Sequence, residues 1–512
     1  MEPRQPTVAI VGGGLAGLAA GCALSDAGVR VTLFERRPYL GGRASSYELP
    51  ATAEVVDNCQ HVLFGCCTNL IEFYRTIGIA DKIRWFDRMT FIEPGGRRSV
   101  LLPRRLPAPL HVMPSFLRLK FLSAWDKLML SEALMALITG TTRDDGQSFD
   151  EWLRKHHQTP AGIARFWKPI LVSALSEDLD RITVPYAAQV VRESMKSKNA
   201  RTMGIPMVPL TDLYQPAKDY ITARGGTIRL RTGVRAFSPG ETSVILSLDE
   251  GDEEFDYVIL AVPFDALAKL LPSAPEAKEL HTKICRFENS PITGVHLWFD
   301  RKITRLPHAV LLDRTIQWMF HKSLLMGRSG SEDLTGQAEQ NEHQERAPDA
   351  SSPADGEKPA ADQPRRSSRK KHAVRDVRAQ IPSYVELVIS SSKSLLSSSR
   401  QNIIDLALSE LLEFFPRAHN AKLVKATVVK EVNATFSPQP GIDEYRPEAA
   451  TRWPLIFLAG DWTATGWPAT MEGAVRSGYI AAEALTRQAG MTKKFLVPDL
   501  PPGGLMRLLR GT

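Results

Sequence analysis

Apolar residues near the start of the chain follow first a strand-like and then a helix-like pattern. Val8–Val11 is a short apolar run typical of a buried strand, and Ala16–Ala27 contains helix formers that stop at Gly28. A second apolar run, Val29–Phe34, ends at Glu35. This order predicts a strand, a helix and a second strand that lies parallel to the first.

Later apolar runs extend the same predicted sheet, although they lie far apart in the sequence. Residues 225–237 contain a strand and a turn, and residues 255–264 form a β-branched run that a proline ends. Residues 453–462 form another apolar run, and a helical pattern follows over 472–485. The pattern predicts an α/β fold whose parallel sheet is assembled from distant pieces of the chain.

The intervening segments predict a second region of mixed α+β structure. Helical patterns cover about Ser115–Ile138, Phe149–Leu175 and Ile403–Phe415, and strand patterns cover 291–299, 384–390 and 421–429. Residues 327–380 carry few apolar side chains. We expect a disordered insertion there, because so little apolar surface does not offset the entropy of ordering.

The composition excludes several classes of protein. Hydrophobic residues make up 43% and charged residues 24% of the 512 positions, and no apolar run is long enough to span a bilayer. Five cysteines, an odd number, indicate reduced thiols, and their spacing fits no metal site. The net charge of +7 favours an anionic surface as partner, but no nucleic-acid-reading motif accompanies it. We expect a cytoplasmic protein.

The turn after the first strand carries a glycine fingerprint typical of dinucleotide binding. Gly12 allows the tight turn, Gly14 lets the backbone approach a pyrophosphate, and Gly17 lets the helix pack on the strand. The acid that should accept hydrogen bonds from a ribose is Glu35, at the end of the next strand. NAD and FAD share this fingerprint, so the glycines alone leave the choice between them open.

Two further motifs favour FAD. The Gly41-Gly42-Arg43 stretch and the segment 457–478 resemble motifs of flavin amine oxidases and phytoene desaturases. The resemblance implies a Rossmann-type FAD-binding domain with a discontinuous substrate domain. It also implies that Arg43 and Asp461 lie near the cofactor phosphates, that Val234 meets the adenine, and that the helix starting near Met471 points at the flavin. The predicted FAD contacts are Gly12, Gly14, Ala16, Gly17, Glu35, Arg36, Gly42, Arg43, Val234, Asp461, Met471 and Glu472.

The stretch from Asp57 to Cys66 resembles the hydroxysqualene dehydroxylases, also called squalene-associated FAD-dependent desaturases, with Cys59 in place of their usual glycine. This resemblance implies reductive removal of the hydroxyl of hydroxysqualene, giving squalene for hopanoid or sterol synthesis. A departing hydroxyl needs a proton, and His61 is the candidate donor because histidine titrates near neutral pH. The same histidine could instead only orient the flavin or the backbone.

The sequence leaves two other activities open. One is a carotenoid desaturase of the phytoene type, and the other is an amine oxidase in which Trp462 and Trp467 would supply aromatic side chains. A long-chain isoprenoid substrate also suggests an anionic membrane as partner. Leu122, Trp125, Met129 and Ala133 recur at helical spacing beside Arg118, Lys120 and Lys127. We therefore expect peripheral contact with the inner face of the cell membrane, and the electron donor stays open.

These motifs suggest the following division of the chain. The predicted FAD-binding parts are 1–95, 206–270 and 451–490, the helical substrate and membrane-contact region is 96–205, the substrate domain is 271–326 and 381–450, the insertion is 327–380, and the basic apolar tail is 491–512.

Overall fold

The computed structural model describes residues 4–49, 54–140, 142–326 and 383–509. The predicted insertion at 327–380 lies outside the described residues.

The strands are β1 (Thr7–Val11), β2 (Arg30–Glu35), β3 (Ser46–Glu48), β4 (Val55–Asp57), β5 (Leu63–Phe64), β6 (Ile83–Phe86), β7 (Met89–Ile92), β8 (Arg98–Leu101), β9 (Met203–Pro206), β10 (Thr227–Leu230), β11 (Val234–Pro239), β12 (Val244–Leu248), β13 (Gly251–Phe255), β14 (Tyr257–Leu260), β15 (Asn289–Phe299), β16 (His308–Leu311), β17 (Trp318–Phe320), β18 (Ser383–Ser390), β19 (Leu423–Phe436) and β20 (Ile456–Leu458).

The α-helices are α1 (Leu15–Asp26), α2 (Thr68–Thr76), α3 (Met113–Phe116), α4 (Ala124–Thr139), α5 (Phe149–Lys155), α6 (Pro160–Gly162), α7 (Lys168–Leu175), α8 (Val184–Met195), α9 (Leu210–Thr222), α10 (Phe264–Leu270), α11 (Lys278–Ile284), α12 (Lys322–Met326), α13 (Arg400–Phe414), α14 (Met471–Gln488) and α15 (Met506–Leu509).

A five-stranded parallel sheet forms one half of the molecule. Its strand order is β10-β2-β1-β14-β20, so strands from the beginning, the middle and the end of the chain lie side by side. Helix α1 packs against α9 and α14. Apolar residues of β1 and β2 are buried under these helices, as the apolar runs predicted. The α/β fold expected from the sequence is therefore confirmed.

Besides three small sheets among the described residues, a seven-stranded sheet forms the centre of the other half, in the order β19-β15-β18-β17-β16-β7-β8. Residues alternate between its two faces because successive side chains of a strand point in opposite directions. Val295, Leu387 and Ile389 pack with α13 on one face. Residues at the alternate positions of β15 and β18, among them Ile292 and Val388, line a cleft on the other face.

The two long helices predicted between residues 115 and 175 are wrong, because local capping breaks both. Ser123 and Asp126 form a capping box that starts α4 anew after α3. The second helix is interrupted where His157 takes a left-handed conformation with φ of 51° and Pro160 starts α6. A single π turn, Ile163–Trp167, then joins α6 to α7.

Candidate active-site cleft

A cleft of about 630 Å³ runs between the two sheets. Most of the predicted cofactor contacts lie in its wall, namely Gly12, Gly14, Ala16, Glu35, Arg36, Gly42, Arg43, Val234, Asp461 and Met471. His61 lies in the same wall. The two exceptions are Gly17 and Glu472, which do not line the cleft.

The glycine turn brings two backbone segments close together at one side of the cleft. Gly12 has a φ of 115°, and a Cβ there would lie 2.4 Å from the carbonyl oxygen of Ala261. A Cβ on Gly42 would lie 3.0 Å from the Cα of Gly14. The turn therefore leaves a narrow backbone-lined cradle at the start of α1, where amide groups favour an anion.

Gly17 and Glu472 have packing roles instead of places in the cleft wall. A Cβ on Gly17 would lie 2.0 Å from the carbonyl oxygen of Gly12, so glycine lets α1 pack under the turn. The buried carboxylate of Glu472 accepts hydrogen bonds from the backbone N–H groups of Asn69 and Leu70, at 3.2 and 2.8 Å. Glu472 thus caps the first turn of α2, a role that the sequence did not indicate.

Glu35 is held in place by the backbone at the end of β2. Its Oε2 accepts a hydrogen bond of 2.8 Å from the N–H of Gly13, and its Oε1 accepts one of 2.8 Å from the N–H of Arg37. Each carboxylate oxygen keeps a further lone pair, so the group can still accept hydrogen bonds from the two hydroxyls of a ribose.

Arg43 joins the two halves of the molecule. Its guanidinium forms an ion pair of 2.6 Å with Asp461 and donates a hydrogen bond of 3.0 Å to the carbonyl oxygen of Ala434 on β19. Asp461 therefore offsets part of the charge that was expected to meet the cofactor phosphates. The arginine side chain is 29% exposed and still lines the cleft.

The rest of the cleft wall combines apolar side chains with polar and charged ones, and the charged ones are Arg37, Arg235, Asp265, Lys269 and Glu431. Apolar side chains come from Val62, Ala174, Val262, Ala266, Leu270, Ile292 and Val388. Within the described residues, the buried hydroxyls of Ser176 and Thr435 have no hydrogen-bond partner. Such orphaned polar atoms fit a cleft whose ligand supplies hydrogen-bonding groups beside a hydrocarbon surface.

His61 is neutral in this environment. Burial lowers its pKa, although the Cys59 carbonyl and the charge of Asp57 act in the opposite direction. Nδ1 lies 2.8 Å from the carbonyl oxygen of Cys59, which can only accept, so Nδ1 carries the proton. Nε2 is then an acceptor, and the neutral ring has no second proton to donate. The predicted role of His61 as a proton donor therefore does not fit this geometry.

The two tryptophans considered for an amine site do not meet. Trp462 lines the cleft and donates a hydrogen bond of 3.0 Å to the carbonyl oxygen of Val262. Trp467 is buried beside Cys66 and Ala200, outside the cleft wall. The arrangement does not provide a pair of facing aromatic rings.

The residues of the cleft suit FAD. The cradle at Gly12 to Gly14, the positioned carboxylate of Glu35 and the guanidinium of Arg43 provide donors for a pyrophosphate and an acceptor for a ribose. The sequence model of the family of flavin-containing amine oxidoreductases matches residues 15–486 of the chain. The chain belongs to the flavin-containing amine oxidoreductase family. As a member of this flavin-containing family, it is a flavin-dependent oxidoreductase with FAD as its cofactor.

Two carotenoid enzymes of Synechococcus elongatus are similar in sequence to this chain. A 15-cis-phytoene desaturase is 27% identical over 93% of this chain and 95% of its own length. A probable zeta-carotene desaturase is 28% identical over 93% of this chain and 98% of its own length. Among solved structures, cyclohexylamine oxidase from Brevibacterium oxydans has a TM-score of 0.61 at 16% identity, covering 95% of this chain and 100% of its own. That last likeness supports the fold alone.

These relatives correct the activity expected from the sequence. Removal of a hydroxyl from hydroxysqualene was predicted from the stretch around Asp57 to Cys66, and it is wrong, because the relatives matched along nearly their whole length are carotenoid desaturases. The structure gives a physical reason. Asp57, Asn58 and His61 hold a loop by hydrogen bonds and do not present an acidic proton to the cleft.

A buried charged cluster that the sequence pattern did not indicate lies beneath this loop. Lys322 and Glu386 are 1% and 0% exposed, and both flank the region predicted as an insertion. A glutamate inside the apolar run of β18 and a lysine two residues after β17 are the signals that could have revealed it, since such charges need partners when buried.

Proposed function

We propose that this chain is an FAD-dependent desaturase of a long-chain isoprenoid polyene, of the phytoene type. The main support is the similarity to phytoene and zeta-carotene desaturases along 93% of the chain. The apolar part of the cleft wall, which includes Val62, Ile292 and Val388, fits a hydrocarbon substrate. An amine substrate receives less support, because the amine oxidase structures share only the fold with this chain.

Desaturation removes a hydride from one carbon and a proton from its neighbour, and a double bond forms between them. Bound FAD supplies the two-electron acceptor. The apolar wall formed by Val62, Ile292 and Val388 would bind the hydrocarbon chain of the substrate and exclude water. His61 would accept the proton at Nε2, which suits a neutral imidazole. A quinone or oxygen would then have to take up the electrons.

The test uses FAD-loaded protein, phytoene in lipid vesicles and a quinone, without oxygen. We expect phytoene to lose two hydrogens per turn, detected by mass and by the longer-wavelength absorbance of the product, with equimolar loss of quinone. Putrescine and cyclohexylamine are the comparison substrates. Oxidation of an amine with phytoene left unchanged would contradict the proposal.

We also propose that the surface around α3 and α4 contacts an anionic membrane. Leu117, Trp125 and Leu128 are 58%, 61% and 56% exposed, whereas Leu122 and Ala133 of the predicted stripe are buried. Between residues 104 and 131 the basic side chains are Arg104, Arg105, Arg118, Lys120 and Lys127. Of the two carboxylates nearby, Asp126 is buried and hydrogen-bonded to Ser123 and Thr159, whereas Glu132 is exposed on α4. Apolar and basic groups together suit a lipid surface with negative head groups.

No helix in the described parts of the chain is long and apolar enough to cross a membrane. Vesicle flotation tests contact at the surface. We expect the protein to float with vesicles that contain phosphatidylglycerol, and Trp125→Ser combined with Leu128→Ser to remain at the bottom. Val424→Ser is the control, because Val424 is 59% exposed on β19, away from this surface. Equal flotation of all three proteins would exclude the α3–α4 surface.

A further inference from the structure

A lysine without access to solvent lies beneath the part of the cleft wall that carries His61. The Nζ of Lys322 donates hydrogen bonds of 2.6 Å to Oδ2 of Asp57 and 2.9 Å to Oε1 of Gln60. It also forms an ion pair of 3.4 Å with Oε2 of Glu386. Lys322 does not line the cleft, so its charge interacts with these three acceptors.

The charges of this cluster are not balanced one to one. Burial opposes the charge on Lys322, but Asp57 and Glu386 outweigh burial and raise its pKa. Burial also acts against the Asp57 carboxylate, but Lys322 outweighs it and holds the pKa of Asp57 below its usual value. Burial raises the pKa of Glu386 to about 7. One lysine is therefore the cationic partner of two carboxyl groups, and its contact with Asp57 is the shorter of the two.

The histidine, cysteine and tyrosine side chains around the cluster are uncharged at neutral pH. Burial lowers the pKa of His61 and of His296, and burial raises the pKa of Cys59, Tyr47 and Tyr384. Lys322, Asp57 and Glu386 act on the loop from below, and Glu431 also contacts it, because its Oε2 accepts a hydrogen bond of 2.7 Å from the side-chain amide of Asn58.

These contacts fix a cleft loop, which we define as residues 57–62. Asp57 also accepts hydrogen bonds from the hydroxyl of Ser46 and the N–H of Leu210, at 2.7 and 3.1 Å. Gln60 uses its amide nitrogen to donate a hydrogen bond of 2.9 Å to the carbonyl oxygen of His61. Lys322 thus forms hydrogen bonds to both ends of the segment from Asp57 to Gln60. Gln60 in turn holds the backbone of His61 through its own hydrogen bond.

The cost of burying these groups indicates a role beyond stability. Buried ion pairs rarely stabilise a fold more than apolar side chains of the same size, because desolvation offsets their attraction. An apolar cluster would fill the same space, but it could not hold the polar side chain of Gln60 in one orientation. The buried ion pairs therefore orient the loop, although removing their charges from water costs free energy.

We propose that Lys322 and Glu386 are positioning residues that act through Asp57 and Gln60 to hold the cleft loop, with His61, against the bound cofactor and substrate. The activity readout of this inference rests on the proposed desaturase function, whereas its spectroscopic readout does not.

The test is a variant without charge in the cluster, Asp57→Asn with Lys322→Met and Glu386→Gln, loaded with FAD. We expect kcat for phytoene to fall at least 10-fold with little change in KM, because the substrate wall remains but the loop loses its orientation. We also expect the visible circular dichroism bands of the bound flavin to change in shape. The affinity for FAD should change less than 3-fold, because the phosphate cradle is left intact.

The control removes another buried ion pair, Lys196 with Glu193, whose residues do not line the cleft. Lys196→Met with Glu193→Gln should leave the flavin spectrum and kcat unchanged, even if it lowers the melting temperature. If the cluster variant folds and keeps both the wild-type spectrum and the wild-type kcat, the inference is wrong.

Gln60→Leu covers the case in which the triple variant does not fold, since it removes a single contact of Lys322. It should change the flavin spectrum in the same direction, and an unchanged spectrum would overturn the inference. If the wild-type protein leaves phytoene unchanged, the proposed function fails, and the spectra of the variants still decide the role of the cluster.

Discussion

At the scale of single residues, the properties of the cleft depend on where individual protons reside. His61 keeps its proton on Nδ1 for the carbonyl oxygen of Cys59 and offers Nε2 as an acceptor. Glu386 has a pKa raised by burial to about 7, so its charge changes near neutral pH. Each of these two groups leads to a prediction.

The first prediction concerns His61→Ala. Loss of a general base costs about 10²-fold or more in rate, so we expect kcat for phytoene to fall by at least that factor. His61→Gln keeps a carbonyl acceptor of lower basicity and should lie between alanine and wild type. Steady-state kinetics with vesicle-bound phytoene measure both, and a kcat within 2-fold of wild type for the alanine variant would show that His61 does not accept the proton.

The second prediction concerns the pH dependence of stability. The pKa of Glu386 is about 7 in the folded protein and 4.5 in the unfolded chain, so the folded state loses stability as pH rises from 4.5 through 7. The side chain introduced by Glu386→Gln does not ionise. The variant therefore avoids a loss of up to about 3 kcal/mol in the free energy of unfolding at pH 8.5. Thermal unfolding should show the variant more stable than wild type at pH 8.5, with that advantage absent at pH 4.5. A variant destabilised equally at both pH values would contradict the raised pKa.

At the scale of elements, short-range patterns were sufficient where the structure is locally determined. The apolar runs and glycines from Val8 to Glu35 predicted β1, α1 and β2, since strand, turn and helix signals lie next to one another there. The break between α3 and α4 depends on the capping box at Ser123, which helical periodicity alone does not reveal. The pairing of Asp57 with Lys322 joins residues far apart in sequence, so only the tertiary fold could show it.

The third prediction separates a packing role from a cofactor role for Glu472. Its carboxylate satisfies two N–H groups at the start of α2, so Glu472→Ala should lower the free energy of unfolding by about 2 kcal/mol or more. FAD affinity should change little, because the side chain does not line the cleft. Glu72→Ala, which removes an exposed ion pair on α2, is the control and should cost less than about 0.5 kcal/mol. A large loss of FAD affinity with unchanged stability would favour the role inferred from the sequence.

At the scale of the whole molecule, the cleft wall draws on both sheets, and Arg43 links them. Its ion pair with Asp461, three residues after β20, and its hydrogen bond to Ala434 on β19 join the Gly41–Arg43 stretch to both sheets. A ligand that fills this cleft contacts both halves at once. Its binding should therefore stabilise the molecule as a unit.

The fourth prediction follows from this linkage. FAD binds the folded protein only, so saturation at about 100 times Kd should add about 2.7 kcal/mol to the free energy of unfolding. Differential scanning calorimetry of the FAD-free and FAD-loaded proteins measures the shift, and we expect a higher melting temperature with FAD. Asp461→Asn should reduce the shift, because Arg43 loses its ion-pair partner. An identical melting temperature with and without FAD would exclude a cofactor that bridges the two sheets.

The contribution of β20 and α14 to the cofactor cradle also affects how the protein is made in the cell. Gly12 and Glu35 leave the ribosome early, but Asp461 and Met471 follow more than 400 residues later. A nascent chain therefore carries a half-built nucleotide site during most of its synthesis. Flavin insertion has to wait until translation is nearly complete, because the site lacks Asp461 and Met471 before then.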